Sequence, residues 1–275
     1  MVVLVGCEES QAVCIELRKL GHTAFSCDLQ ECSGGHPEWH LKMDIFKAIK
    51  GGLLFTQEGK LVYIKKWEMM IAFPTCTFIT LSANKWLKDQ PPLKSGALVG
   101  SERRKAREDA LRFVCNLMNA NIEKIAIENP VGIIGTRIFW YSGGIGPERW
   151  EVFPTETRGG RKPDQIIHPY YFGDEARKTT CLWLKNLPKL YHAKQNDLFN
   201  KSITHVSEGE STEWVSGKNG KIKRQPKWYA LAKQGKELSH RNKERSKTFP
   251  GIAKAMALQW AGTTIAENES INHGS

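Results

Sequence analysis

The sequence predicts a three-layer α/β/α, Rossmann-like domain around a mostly parallel seven-stranded sheet, with a small basic module appended. Three observations carry this expectation. Short apolar runs rich in β-branched residues alternate with helical periodicity, as in strands buried on both faces of a parallel sheet. Several of these runs stop at a residue capable of chemistry, where open α/β sheets collect their functional groups. The charge is also unevenly placed. Of a formal net charge of +11, Lys185–Lys254 carries 16 Lys/Arg against 6 Asp/Glu. A basic segment of that kind suits a polyanion such as nucleic acid, or else a solvated basic face.

Taken in order, Val2–Val5 is a strand, and Gly6-Cys7-Glu8-Glu9-Ser10 turns it into a helix with Ala12, Val13, Leu17 and Leu20 on one face, ended by Gly21. Strand, tight turn and helix N-terminus form the usual opening of a nucleotide-cofactor domain. There is no G-x-G-x-x-G, and Glu8-Glu9 would repel phosphate, so a cofactor bearing positive charge fits better than a dinucleotide. Thr23–Cys27 is the second strand, with Asp28 at its end, where such folds hold ribose hydroxyls. Cys27, Cys32, His36 and His40 are separated by four, three and three residues. That spacing does not match a structural zinc site, so no metal is expected and the stretch reads as a Gly-rich loop covering a ligand. Leu41–Met43 leads to Asp44, and residues 51–67 read as a hairpin with Leu61–Ile64 as its second strand.

Met69–Phe73 is the central apolar run, ending in Pro74-Thr75-Cys76. Ser82–Gly100 follows with Pro91-Pro92, Gly96 and Gly100, a long segment of the kind that forms an active-site lid. Ser101–Asn119 is helical by period, with Ala106, Ala110, Phe113, Val114 and Leu117 on its apolar face. Ile125–Ile127 then ends in Glu128-Asn129-Pro130. Ile133–Gly160 has no clear period. Gln165–Phe172 and Thr179–Leu184 read as strands, Gly217–Gly220 as a hairpin turn, and Ile252–Ala261 as a closing helix. Trp214, Trp228 and Tyr229 interleave with lysines, which fits either nucleic-acid contact or a small local core. The expected divisions are 1–175 for the catalytic domain, 176–245 for a basic recognition region, 246–262 for a returning helix and 263–275 for a disordered tail. No stretch reaches the roughly 20 apolar residues of a membrane span. Without a basic n-region at the start, and with an odd seven cysteines, a cytoplasmic protein with free thiols and no membrane partner is expected.

A thiol and a carboxylic acid at neighbouring strand ends suit attack on an electron-poor ring. The thiolate adds to carbon-6 of a pyrimidine while the acid hydrogen-bonds ring nitrogen-3, and carbon-5 can then take a methyl group from a sulfonium. On Pro74-Thr75-Cys76, Glu128-Asn129-Pro130, Gly6, the acids Asp28 and Asp44, and the closing segment Thr248–Trp260, the chain resembles the DNA cytosine-5 methyltransferases, in the small divergent form carried by bacteriophages. The resemblance runs through the whole chain in this order. It implies S-adenosyl-L-methionine as cofactor, double-stranded DNA as partner (in a host cytoplasm if phage-encoded), Cys76 and Glu128 as catalytic residues, and Gly6, Glu8, Ser10, Asp28, Asp44, Pro74 and Thr248 at the cofactor.

The chain departs from the family pattern in three places. Glu8 stands where the family has a second glycine, and Thr75 where it has a second proline. Gln165–Pro169 lacks the arginines of the family's Gln-x-Arg-x-Arg strand, for which Arg158, Arg161, Arg177 or Lys178 could substitute. Other readings are the same chemistry on RNA, on a free pyrimidine nucleotide or with a modified donor, and a catalytically silent DNA-binding protein on this fold.

Overall fold

The chain threads its central sheet from both ends. In chain order the strands are β1 (Val2–Gly6), β2 (Thr23–Asp28), β3 (His40–Lys42), β4 (Gly52–Phe55), β5 (Leu61–Ile64), β6 (Met69–Ala72), β7 (Lys124–Pro130), β8 (Ile138–Tyr141), β9 (Arg149–Val152), β10 (Gln165–Ile167), β11 (Thr180–Lys185), β12 (Ser211–Val215) and β13 (Ile222–Pro226). The helices are α1 (Ala12–Lys19), α2 (Ile45–Ile49), α3 (Gly100–Met118), α4 (Ile134–Arg137), α5 (Lys227–Leu231) and α6 (Pro250–Ala261). This computed structural model describes residues 1–141, 148–153, 159–194, 204–215, 222–231 and 248–262.

Seven strands form one sheet in the order β10-β11-β7-β6-β1-β2-β3, with β12-β13, β4-β5 and β8-β9 as separate two-stranded ribbons. Five strands, β7 to β3, are parallel, and β11 enters antiparallel to both β7 and β10. The expected α/β class with a mostly parallel seven-stranded sheet is therefore the observed one. The strand order reverses between β1 and β6, the place where a crevice opens at the carboxyl ends of such a sheet.

Alternation along each strand divides the core into two layers. Val3, Val5, Met69, Ile71 and Ala126 pack with Val13 and Leu17 of α1 and with Ile252, Met256 and Trp260 of α6. Leu4, Met70, Ala72, Ile125 and Ile127 face the other way, against Leu111, Val114 and Leu117 of α3. Burial on both faces is why β1 and β6 read as unbroken apolar runs. The last helix is held to the body by Trp260 Nε1, which donates to the Pro188 carbonyl, and by Gln259, whose amide exchanges hydrogen bonds with the Tyr191 backbone.

Several boundaries differ from the sequence expectation. Helix α3 buries Arg103, Arg107, Leu111, Val114, Cys115, Leu117 and Met118. Its inward face over the first two turns is thus set by two arginines, while Ala106 and Ala110 lie at the edge. The aperiodic stretch after Ile133 holds α4 and the ribbon β8–β9, closed by a Trp140–Trp150 edge contact. Gln165–Phe172 is a three-residue strand followed by a tight turn at Pro169–Phe172, where proline ends the ladder. Leu81–Leu87 winds as a 3₁₀ turn inside the expected lid. Strand β11 belongs to the central sheet, so the expected basic region leaves that sheet only after Lys185. The Gly217–Gly220 turn lies outside the described residues, between the paired strands β12 and β13.

Candidate active site

Strand β6 ends at Ala72, and the Phe73 amide still donates to the Gly6 carbonyl at 2.9 Å, which seals the crevice floor. The chain then turns sharply through Cys76, whose carbonyl accepts from the amides of Ile79 (3.1 Å) and Thr80 (3.2 Å). Across the gap to β7, Asn129 Nδ2 donates to the Pro74 carbonyl at 2.7 Å. The register Ala72↔Ile127 places Glu128 and Asn129 one and two residues beyond the last paired position. Thus the two strand ends that sequence reasoning singled out are adjacent and hydrogen-bonded to each other.

Glu128 stands partly buried beside the hydroxyl of Thr180, and burial raises its carboxyl above the usual carboxylate range, opposed by the Lys178 ammonium and by the Thr180 hydrogen bond. Burial likewise raises the Cys76 thiol, with Glu128 adding to the rise and Lys178 opposing it. Lys178 is therefore electrostatically coupled to both groups. A small pocket lined by Glu128, Lys178, Thr180, Thr248, Phe249 and Ile252 adjoins them, under the N-terminus of α6. That helix start is pinned by the Gly251 amide donating to Asp174 at 2.8 Å, and a Cβ at Gly251 would run into the Phe172 carbonyl. A carboxyl of raised proton affinity, a half-buried thiol and one cation can together donate a proton, form a covalent bond and stabilise an anion.

The positions expected at the cofactor lie along the ends of β1, β2 and β3. A Cβ at Gly6 would meet the Cδ1 end of the Ile45 side chain, which would have to turn away to admit it. Glu8 is buried, and its two oxygens accept from the amides of Val13 (2.7 Å) and Cys14 (3.3 Å), so it caps α1. Burial pushes its carboxyl up to about 8, which moderates the charge expected to meet a cationic cofactor. Asp28 Oδ1 accepts from the Gln30 amide, an Asx turn, and Asp44 Oδ1 caps α2 through Phe46 and Lys47. Each aspartate has these bonds on one oxygen. Cys7 is in left-handed backbone at φ 58, and burial raises its thiol, with the nearby charges of Asp28 and Asp44 adding to the rise.

The Gly-rich loop folds back over Ser10 and Gln11. Gln11, also left-handed at φ 60, is held there by a two-way amide pairing with the His36 backbone and a bond to Ser26 Oγ. A Cβ at Gly34 would overlap Gln11 and the Ser10 carbonyl, which is why glycine stands there. The Cys–His set is spread over separate partners. His40 bridges Ser26 and the Gln30 carbonyl, Cys27 bonds the Met43 carbonyl, and His36 stacks on Trp39. Among the described residues no three His, Cys, Asp or Glu converge on a metal position.

Of the basic residues considered for the missing arginines, Arg161 is bound by Asp164 and the Leu184 carbonyl, and Arg177 pairs with Glu208 at 3.2 Å. Arg158 lies outside the described residues. Lys178 is the one whose charge acts on Cys76 and Glu128. Sequence reasoning missed Arg103 and Arg107, although their i, i+4 spacing at the start of a helix after the nucleophile was a visible signal. In the basic region, Arg224–Glu213 and Lys227–Glu210 pair locally, and Trp228 meets Phe249 edge-on, a small local core. Among the described residues no helix is long and apolar enough to cross a membrane.

No family model matches the chain, and no curated protein matches it. Among solved structures it is similar to a candidate DNA modification methyltransferase encoded within a prophage of E. coli, at 10% identity and a TM-score of 0.35, over 80% of this chain and 62% of that chain. A likeness of that size fixes neither family nor activity.

Proposed function

We propose that the protein transfers a methyl group from S-adenosyl-L-methionine to carbon-5 of cytosine in DNA, with the base turned out of the duplex. The observation that carries this reading is that the segment bearing Cys76 and the end of β7 bearing Glu128 are adjacent and tied by Asn129 to the Pro74 carbonyl, with Lys178 lining the same pocket as Glu128. Cys76 gives its proton to solvent water and adds to carbon-6 as the thiolate. Glu128, whose carboxyl burial makes a weaker acid, hydrogen-bonds nitrogen-3 and offsets the charge that develops on the ring. Lys178 lowers the thiol and steadies the anionic adduct, the part left vacant by the absent arginines. Once carbon-5 carried the methyl group, its proton would pass to solvent water, and that electron pair would re-form the 5,6 double bond as Cys76 leaves as the thiolate. The cofactor supplies an electrophilic methyl when bound. Asp28 and Asp44, each with an oxygen outside its turn or cap bonds, and Thr248 beside the pocket would hold it, and α6 would close that side.

The test is incubation of the protein with methyl-labelled S-adenosyl-L-methionine and duplex DNA, followed by nucleoside analysis. Labelled 5-methylcytosine is expected, and label on any other nucleoside would overturn the chemistry. A parallel binding titration against salt separates polymer from nucleotide. On duplex, log K should fall by about 0.9 per phosphate contacted. Salt-independent binding, or equal activity on free dCMP, would favour the nucleotide-modifying alternative.

A further inference from the structure

The carbonyls of Pro74 and of Cys76 through Ile79 are all held, and two of the holders come from α3. Upstream, Pro74 O is taken by Asn129. Downstream, Arg103 Nη2 donates to the Thr77 carbonyl at 3.2 Å, and Arg107 Nε donates to the Phe78 carbonyl at 2.9 Å. The next carbonyl, of Ile79, accepts from the Ile133 amide at 3.0 Å, and Thr80 bridges to Gly132, where a Cβ would run into Ile79 O. Both arginines are more than nine-tenths buried, where a guanidinium is costly to keep. Their other arms reach the segment beyond the turn. Arg107 Nη2 donates to Asn84 Oδ1 at 2.6 Å, and Arg103 Nη1 reaches the Leu98 carbonyl at 3.4 Å. On the exposed side of the same helix, Arg104 donates to the Leu87 carbonyl at 2.7 Å and pairs with Asp89.

We infer that Arg103 and Arg107 are positioning residues for the Cys76 thiol, and that they couple its placement to the conformation of residues 84–98. A guanidinium suits this task because its planar fork can hold two acceptors at a fixed angle, which an ammonium cannot. The turn bearing Cys76 and the expected lid share one pair of side chains, so a shift of the lid is transmitted to the thiol through Arg107. Among the described residues Arg103 Nε has no hydrogen-bond partner. It can therefore take a further acceptor if the lid moves closer.

This inference rests on Cys76 being the reacting thiol, and the experiment is chosen to separate the two. Alkylation of the full-length protein by iodoacetamide is followed at Cys76 by peptide-resolved mass spectrometry from mildly acidic to alkaline pH. The variants are Arg107→Gln, Arg107→Lys, Arg103→Gln and Asn84→Ala, each checked by thermal melting. In folded Arg107→Gln the Cys76 rate profile should change several-fold, because the turn is released. Turnover should fall by up to about 10²-fold with little change in the KM for S-adenosyl-L-methionine, the scale of a small misplacement of a reacting group. Arg107→Lys should recover part of both readouts. Asn84→Ala leaves the Phe78 bond intact, so it should slow turnover while the alkylation profile stays near that of the parent. If Arg107→Gln fails to fold, Arg107→Lys decides by the same readouts. Unchanged Cys76 alkylation and turnover in the folded arginine variants would overturn the inference. Absence of methyl transfer in the parent protein would overturn the functional reading instead, while the alkylation profiles would still decide the arginine clasp.

Discussion

The carboxylates at the two halves of the crevice are in different states. On the β1–β2–β3 side, Glu8, Asp28 and Asp44 already accept from backbone amides, and two of them cap helices. On the β6–β7–β11 side, Glu128 is bonded to a side-chain hydroxyl, shares its field with a thiol and an ammonium, and sits beside a pocket. Both sets stand at strand ends, and both are acids in the same fold. The difference teaches that position at a strand end does not make an acid chemical. Burial raises both Glu8 and Glu128, but Glu8 spends its two oxygens on amides and is held in place by the fold, whereas Glu128 meets a hydroxyl, an ammonium and a pocket, where its raised proton affinity is open to a ligand.

The comparison breaks most sharply at Cys76. Cys76→Ser should abolish turnover, because an alkoxide is far harder to form than a thiolate, while melting and cofactor binding stay near those of the parent. Near-parental methylation by that variant would remove the covalent route. Cys115→Ser is the control: its thiol donates to the Trp150 carbonyl on the far side of α3, and a serine hydroxyl can take over that bond.

Glu128→Gln comes next. It keeps a hydrogen-bonding amide but cannot donate an acid proton, so turnover should drop by roughly 10²-fold. Calorimetric affinity for S-adenosyl-L-methionine should move little. A loss confined to that affinity would place Glu128 with the acids of the other side.

The two aspartates sharpen the contrast within one side. Asp44→Ala should cost about 1 kcal/mol of stability from the lost cap, as well as weakening cofactor binding. Asp28→Ala, which loses only a turn bond, should weaken cofactor binding by about tenfold, one hydrogen-bonded contact's worth, with little loss of stability. Equal affinity in Asp28→Ala and the parent, measured by calorimetry, would leave Asp28 a turn residue only.

Much of this was legible in the sequence, for a physical reason. Strands buried on both faces write themselves as apolar runs, so β1, β2, β6 and β7 and the residues at their ends could be read directly. The pairing of Cys76 with Glu128 followed from two such runs. Commitment could not be read. Glu8 looked like a charge aimed at a ligand, yet its partners are amides five and six residues on, whose direction depends on a left-handed Gln11. Arg103 and Arg107 drew no attention, since periodicity ranks residues by apolarity and cannot foresee carbonyls waiting in a neighbouring turn. Ribbon β8–β9 was hidden because its stability comes from cross-strand tryptophans and not from alternation.

A pH series tests the Glu8 side of the comparison. Burial raises the Glu8 carboxyl from its usual 4.5 to about 8, against the pull of the Val13 and Cys14 amides. The folded protein thus holds a proton that the unfolded chain releases. Stability from this group is fully present below the unfolded value and is lost as pH rises through the folded one. Between about pH 5 and about pH 8 the parent should therefore lose stability that Glu8→Gln, which cannot ionise, retains. The difference between their unfolding free energies should grow across that window, by up to about 1.4 kcal/mol for each pH unit crossed. Parallel curves would mean that Glu8 is already ionised in the folded protein. It would then carry a full negative charge under the cofactor loop and rejoin the groups available to a sulfonium.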